Sequence, residues 1–565
     1  MAGRIPLFSI LLLTSSLAGL RYLPAAEEQT RAILSESSLQ DLRRGIDPRG
    51  IYGSLVIGGH KTPDEAFTEF FKLAGREQSR VVVLHVDADA AGENAGQLIE
   101  AWRTSRAAEL QFLFVPSSQA ANDAAVNDKI ENATGVWLSV VDVDNFEKIV
   151  SETKLETSLT ALIKRGGAIG TSAAACVRRM LPNSLVKAVS AENAAEEKAS
   201  LDKAVQAQPE MIGYEIGSAA ALVVSGRRIR SVGEGESRIL LAAGRWRPQR
   251  KIALKNGEGV ADLPSLQRSV AERLGAGFPA KELPPPTVKE GTLIIIGGGG
   301  IPQGLMEQFV QLAGADEARI AIFPTANADP IPKRSGMAEM LKRLGAKEVT
   351  VLPGRTRDIV ESDAFLETLR NASGLWFGGG RQWRFVDAYL DTKAEPLMHD
   401  VLRRGGVIAG SSAGASIQAE YMARGDPLGN LNIMAEGYER GLSFLKGVAI
   451  DQHFTQRRRQ RDMTKLVDAY PQLLGIGLDE TTAILVQKHI AKVIGKNDVC
   501  FYDRNKPPQK GQPDFEIVRD GGSYDLVKRK ILDPGAAKEK PKPEKAAAGD
   551  DAASESPRKV LERPR

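Results

Sequence analysis

Gly410-Ser411-Ser412-Ala413-Gly414 follows the apolar run Val407-Ile408-Ala409 and precedes a helix-compatible stretch. That order puts a serine on a sharp turn between strand and helix, the geometry of a nucleophile elbow. Glycine is needed on both sides because the turn is strained and the next segment packs close beneath it. A serine nucleophile also needs a base within hydrogen-bond reach and an acid to orient that base. Of the five histidines, His60 and His85 lie far upstream, His399 falls in a helix-like stretch before the elbow strand, and His489 on a late strand. His453, in Asp451-Gln452-His453-Phe454 after Val448-Ala449-Ile450, stands at a strand end, where an open sheet would present a base. Asp479 and Glu480 follow Gly475-Ile476-Gly477-Leu478; either could hold the imidazole. The order serine, histidine, acid differs from the α/β-hydrolase order.

An oxyanion hole needs fixed N–H donors and contributes about 3–4 kcal/mol to barrier lowering. Gly378-Gly379-Gly380, after Leu375-Trp376-Phe377, lets the backbone approach a substrate, with Gly379, Gly380 and the amide of Ala413 as candidate donors. The other glycine run, Gly297 to Gly300, fails the dinucleotide fingerprint, since Pro302 and Gln303 stand where its third glycine is required. The scattered histidines show no metal-ligand spacing, so neither metal nor cofactor is expected.

These residues must be positioned by a fold, and 565 residues exceed one core. An internal repeat divides the chain. Gly53 to Gly59 matches Gly291 to Gly298, Leu73-Ala74-Gly75 matches Leu312-Ala313-Gly314, Ala133 to Leu138 matches Ala372 to Phe377, and Lys164 to Ile169 matches Arg403 to Ile408. Each copy alternates short apolar runs with helical stretches, the pattern of parallel strands joined by crossover helices. The expected fold class is α/β: two tandem doubly wound domains with mainly parallel sheets. Pro284-Pro285-Pro286 marks a linker. The expected boundaries are 27–278 for the first domain, 279–290 for the linker and 291–532 for the second, with a charged, disordered tail at 533–565. Residues 1–26 read as a signal peptide: Arg4, an apolar run interrupted by Thr14-Ser15-Ser16, then small residues before Glu27. Secretion or export to a periplasm is expected, without a stable membrane span. Cys176 and Cys500, one per copy, make no disulfide framework. A net charge of +4 gives no reason to expect a nucleic-acid partner.

The second half resembles the cyanophycinases and related serine peptidases, including aspartyl dipeptidases of the peptidase E type. The resemblance rests on Gly-Gly-Gly-Arg-Gln at 378–382, Gly-Ser-Ser-Ala-Gly-Ala at 410–415, Asp-Gln-His-Phe-Thr-Gln-Arg-Arg-Arg at 451–459 and Gly-Ile-Gly-Leu-Asp-Glu at 475–480. It implies a flavodoxin-like fold similar to class I glutamine amidotransferase domains, with Ser412 as nucleophile, His453 as base and Glu480 as orienting acid. It also implies substrate contacts from Gln382, Asp451, Gln452, Arg457 and Arg459. The implied substrate is cyanophycin, a poly-aspartate bearing arginine on each side-chain carboxyl, cut to β-Asp-Arg dipeptides. Guanidinium groups suit such a carboxylate-bearing peptide. Two positions depart from the family pattern: Arg381 replaces an Asp or Asn, and Asp462 replaces an arginine.

In the first half the offset of the later matches sets Ala173 opposite Ser412, or Ser172 if a one-residue gap is allowed, and Ser218 falls opposite Glu480; the histidine block has no counterpart, the stretch from the elbow to the next matching strand being shorter by about 23 residues. A serine without base or acid is a poor nucleophile, so this copy reads as folded and inactive. It is expected to stand in for a second subunit, making the chain an intramolecular pseudo-dimer that could oligomerise further. The competing readings are an aspartyl dipeptidase acting on short acidic peptides and a non-catalytic binding protein.

Overall fold

The computed structural model describes residues 34–86, 95–140, 142–178, 180–331, 335–506 and 511–536. The expected signal peptide and all but the first residues of the expected tail lie outside them. Among the described residues no helix is long and apolar enough to cross a membrane.

Each half is built on a large mixed sheet and a smaller one. In the second half five parallel strands run in the order Glu348–Val351, Arg319–Phe323, Gly374–Phe377, Val407–Ser411 and Val288–Ile296, and the sheet continues through antiparallel Thr482–Lys488 and Ile490–Gly495. In the first half Glu109–Phe114, Arg80–His85, Gly135–Ser139, Ala168–Thr171 and Ser54–Gly58 repeat that parallel order, followed by antiparallel Ala220–Ser225 and Arg228–Gly233. Central strands such as Leu293 to Ile296 are fully buried, because crossover helices cover both faces and continuous apolar runs are what such strands require. The architecture is α/β with mixed, largely parallel sheets. The central strand of the second half begins at Val288, inside the segment expected to be linker.

Register shows that the repeat is structural. Leu55 pairs with Ile169 and Val224 in one half; Leu293 pairs with Ile408 and Val486 in the other. The same register sets Thr171 where Gly410 stands, and hence Ala173 where Ser412 stands.

The smaller sheet of the second half contains parallel strands Ala419–Met422, Leu445–Gln452 and Leu474–Leu478, then antiparallel Val499–Tyr502 and Glu516–Val518. Its counterpart pairs Ser184–Ala188 with Ile212–Ile216. Ala188 opposite Ile216 corresponds to Gln452 opposite Leu478, so Val189 occupies the place of His453 and Ser218 that of Glu480. The histidine block therefore does have a counterpart. What the first half lacks is the segment after the elbow, residues 419–444, which includes the edge strand Ala419–Met422 of the small sheet.

Candidate active site

The elbow strand Val407–Ser411 belongs to the large sheet, and the turn after it is sharp. Ser412 has φ +55° and ψ −111°, a conformation costing a non-glycine residue about 1–3 kcal/mol. The surroundings hold it there. Ser412 N–H donates to the Ile296 carbonyl at 3.0 Å, and a Cβ on Gly414 would lie 2.0 Å from the Phe377 carbonyl oxygen. A Cβ on Gly410 would meet the Gly414 carbonyl at 2.2 Å. The helix behind the serine is one turn only, Ala413–Ser416. In the first half Ala173 has relaxed to φ −94°; the strain has gone with the nucleophile.

His453 and Glu480 come from the small sheet, each just beyond a strand end, so the site is assembled across the two sheets. Ser412 Oγ and His453 Nε2 are 2.9 Å apart, and His453 Nδ1 and Glu480 Oε1 are 2.6 Å apart. The geometry separates the two acids. Glu480 faces the imidazole, whereas Asp479 points the other way, is 2% exposed, and accepts from the amide and hydroxyl of Thr455 at 2.8 and 2.7 Å. Gln456 Oε1 accepts from the Glu480 amide and Asn497 Nδ2 donates to the Glu480 carbonyl, fixing the acid's backbone.

Gly297 to Gly300 has a function that sequence reasoning missed. The Gly297 carbonyl accepts from the His453 amide and the Gly298 carbonyl from the Thr481 amide. A Cβ on Gly298 would lie 2.4 Å from His453 Cε1, and one on Gly299 2.5 Å from Glu480 Oε2. The run is bare so that imidazole and carboxylate can lie against its backbone.

Burial pushes the His453 imidazole below its ordinary pKa; the hydrogen bond to Glu480 opposes this, and the Arg457 and Arg459 charges add to the lowering. A lowered pKa favours the neutral ring that a general base requires. Around Gly378-Gly379-Gly380 the amide of Gly378 is taken by the Phe323 carbonyl and that of Arg381 by the Ala326 carbonyl. Among the described residues no acceptor takes the amides of Gly379 and Gly380, and a Cβ on Gly379 would lie 3.6 Å from Ser412 Cβ. Gly379 thus lies beside Ser412 in space, and Ala413 follows it in the chain.

The five residues expected to touch substrate divide into two groups. Arg457 is exposed beside the imidazole, its amide donating to the His453 carbonyl at 3.1 Å. The other four are buried and engaged within the protein. Asp451 is fully buried and accepts from Arg424 Nε at 2.9 Å and Arg459 Nη1 at 2.8 Å. Arg459 also donates to the Gln452 carbonyl at 2.7 Å and to its side-chain oxygen at 3.3 Å. Gln382 donates its amide hydrogens to the Ala423 and Arg424 carbonyls, both at 2.8 Å. Arg424, which sequence reasoning passed over, also pairs with Asp462 at 2.8 Å. Arg381 reaches the carbonyls of Asp426 and Gly429 at 2.6 and 2.7 Å.

Elsewhere Cys176 and Cys500 are buried free thiols, and burial pushes Cys176 up to about 12. Among the described residues no group of three or more histidine, cysteine and acidic side chains is gathered as a metal site.

A serine, a histidine and a glutamate in hydrogen-bonded series on an α/β scaffold form a site of the serine-hydrolase type. Residues 293–494 match the model of peptidase family S51. Cyanophycinase from Trichormus variabilis is 30% identical over 234 residues, covering 40% of this chain and 78% of that protein. Cyanophycinase from Geminocystis herdmanii is 31% identical over 221 residues, covering 38% and 80%. The chain belongs to peptidase family S51 through its second half. Among solved structures, a peptidase from an acI-B1 Actinobacterium aligns at 21% identity with a TM-score of 0.33, covering 42% of this chain and 98% of that one. A putative peptidase E protein from Listeria monocytogenes aligns at 17% with a TM-score of 0.27, covering 37% and 99%.

Proposed function

We propose that the second half is a serine-type exopeptidase on a flavodoxin-like domain, cutting next to aspartate, with cyanophycin as the substrate and β-Asp-Arg as the product. The observation that carries this reading is the unbroken series Ser412 Oγ, His453 Nε2, His453 Nδ1, Glu480 Oε1. His453 takes the serine proton as Oγ attacks the carbonyl, and Glu480 stabilises the imidazolium that forms. The amides of Gly379, Gly380 and Ala413 receive the oxyanion. His453 then protonates the leaving amine, and water releases the acyl group by the same route. Arg457, exposed next to His453, is the residue we assign to receive a substrate carboxylate. The curated relatives named cyanophycinase support the polymer as substrate.

A second reading, short acidic peptides, is favoured by one feature: Arg424 already occupies Asp451, so this acid is not free to receive an arginyl side chain. Incubating the protein with purified cyanophycin and with aspartyl dipeptides, alongside Ser412→Ala, decides between them. Release of β-Asp-Arg lost in the variant supports the first reading. Turnover of aspartyl dipeptides alone supports the second, and turnover of neither would refute the peptidase assignment. Export of the chain, from its first 26 residues, is part of the proposal and is checked by fractionating cells that express the full sequence.

A further inference from the structure

Residues 419–444, the segment present in the second half and missing from the first, do not fold back onto their own half alone. They lie on the first. A Cβ on Gly437 would be 2.5 Å from the Ser265 carbonyl oxygen, so the segment runs flat against the first-half helix Leu263–Leu274. Glu436 accepts from Arg273 at 2.7 Å and from Arg250 at 3.3 Å. Glu439 is paired with Arg247 and accepts from Tyr421 at 3.1 Å. Tyr438 receives Arg227 at 2.9 Å and donates to Asp387 at 2.7 Å. Arg227 in turn donates to Asp387 at 2.6 Å and Asp262 at 2.8 Å, and Arg440 donates to Glu272 at 2.9 Å. Glu439, Arg273 and Asp262 are all more than nine-tenths buried, so the pairs they make with Arg247, Glu436 and Arg227 are largely desolvated, and breaking one leaves a buried charge without its partner.

The other end of the segment reaches the strand that carries the histidine. Arg424 donates to the carbonyls of Asn430 and Leu431 at 3.0 and 3.1 Å, bracing the loop internally, and to Asp451. Asp451 holds Arg459, and both flank Gln452, the residue before His453. Gln382 and Arg381, which follow the oxyanion glycines, grip carbonyls of residues 423–429. One loop therefore touches the first half on one side and both the oxyanion turn and the histidine strand on the other.

We infer that the catalytically empty first half is a positioning element in cis: by clamping residues 423–440 through Arg227, Arg247, Arg250 and Arg273 it sets the substrate-binding wall of the second half's site. The inference rests on the peptidase reading of that site. It accounts for why a copy that has lost nucleophile, base and acid keeps a buried, charged face directed at its neighbour. The residues concerned are positioning residues, because none of them touches the triad.

The test is kinetic, on the full-length chain. Two variants are compared with wild type: Arg247→Met, and Glu436→Gln, which is milder because Glu436 is only partly buried. Substrate binding is read with a synthetic three-unit β-Asp-Arg peptide and with an aspartyl dipeptide. Triad competence is read separately as the rate at which a small phosphonofluoridate labels Ser412. The expected result is a KM raised severalfold by Glu436→Gln and more than tenfold by Arg247→Met, with kcat within about twofold and labelling rates unchanged. An unchanged KM in both folded variants overturns the inference, and so does a labelling rate that falls together with peptide turnover, because that is general damage. If Arg247→Met does not fold, Glu436→Gln decides alone. Absence of labelling in the wild type would instead overturn the serine reading itself, a failure distinct from that of the clamp.

Discussion

Gly298→Ala tests how the site is built without touching any residue of the triad. The new methyl carbon would stand 2.4 Å from His453 Cε1 and 2.6 Å from Nε2, against a comfortable carbon contact of about 3.5–4.0 Å. The ring must retreat by about 1 Å. That lengthens the 2.9 Å Ser412–His453 contact beyond hydrogen-bond reach. Displacement of a reacting group by about 1 Å removes roughly 10²-fold in rate, and full loss of general-base catalysis about 10²–10⁴-fold. Alanine at φ +98° also strains the backbone by about 1–2 kcal/mol, so the effect of strain has to be separated from that of contact. Gly304 provides the control: its φ is +76°, and a Cβ there meets nothing within 4 Å. Gly304→Ala should lose comparable stability and keep its kcat, whereas Gly298→Ala should lose kcat by 10²–10⁴-fold. Melting temperature and kcat on the best peptide substrate are measured for both. Equal kcat in the two variants would refute the claim that the bare glycine backbone seats the imidazole.

Three further outcomes follow from the geometry. Because burial and the neighbouring arginines lower His453 from its usual pKa, kcat/KM should rise with pH along a limb centred below about 6.5, and Arg457→Ala should shift that limb upward in a pH–rate profile. Glu480→Gln should lose about 10²–10⁴-fold in kcat with its melting temperature kept, whereas Asp479→Asn, which weakens a buried acceptor of Thr455, should lose about 1–3 kcal/mol in denaturant unfolding. Glu395 is pushed up to about 7, chiefly by burial. Its neutral form therefore supports the fold fully below pH 4.5, and this contribution is lost as pH rises through 7. Glu395→Gln should then match wild type in stability at pH 4 and exceed it at pH 8 by at most about 3 kcal/mol; a gain of equal size at both pH values would contradict the assignment.

The elbow was legible in the sequence because its requirements are local: a strand, two glycines and a serine within five residues. The histidine was legible by elimination and by its place after an apolar run. Asp479 and Glu480 were not separable, since adjacent residues leaving a strand turn to opposite sides and only the three-dimensional position of His453 shows which side matters. Gly298 and Gly299 were visible as glycines, but the groups that would collide with a side chain there lie more than 150 residues further on. Asp451 and Arg459 look in sequence like ligands for a charged substrate. Their burial, and the presence of Arg424 between Asp451 and Asp462, come from a loop that no local pattern ties to them. The repeat was legible as matching segments in the two halves, but the length difference between them could be located only once the small sheets were seen to correspond.

The measurement that bears most directly on the central claim is covalent labelling of the full-length protein with a phosphonofluoridate, followed by mass-spectrometric location of the adduct, in wild type and in His453→Ala. A single adduct on Ser412, abolished or slowed by at least about 10²-fold in the variant, is the predicted result. Labelling in the first half, or at Ser412 at the same rate without His453, would contradict the account.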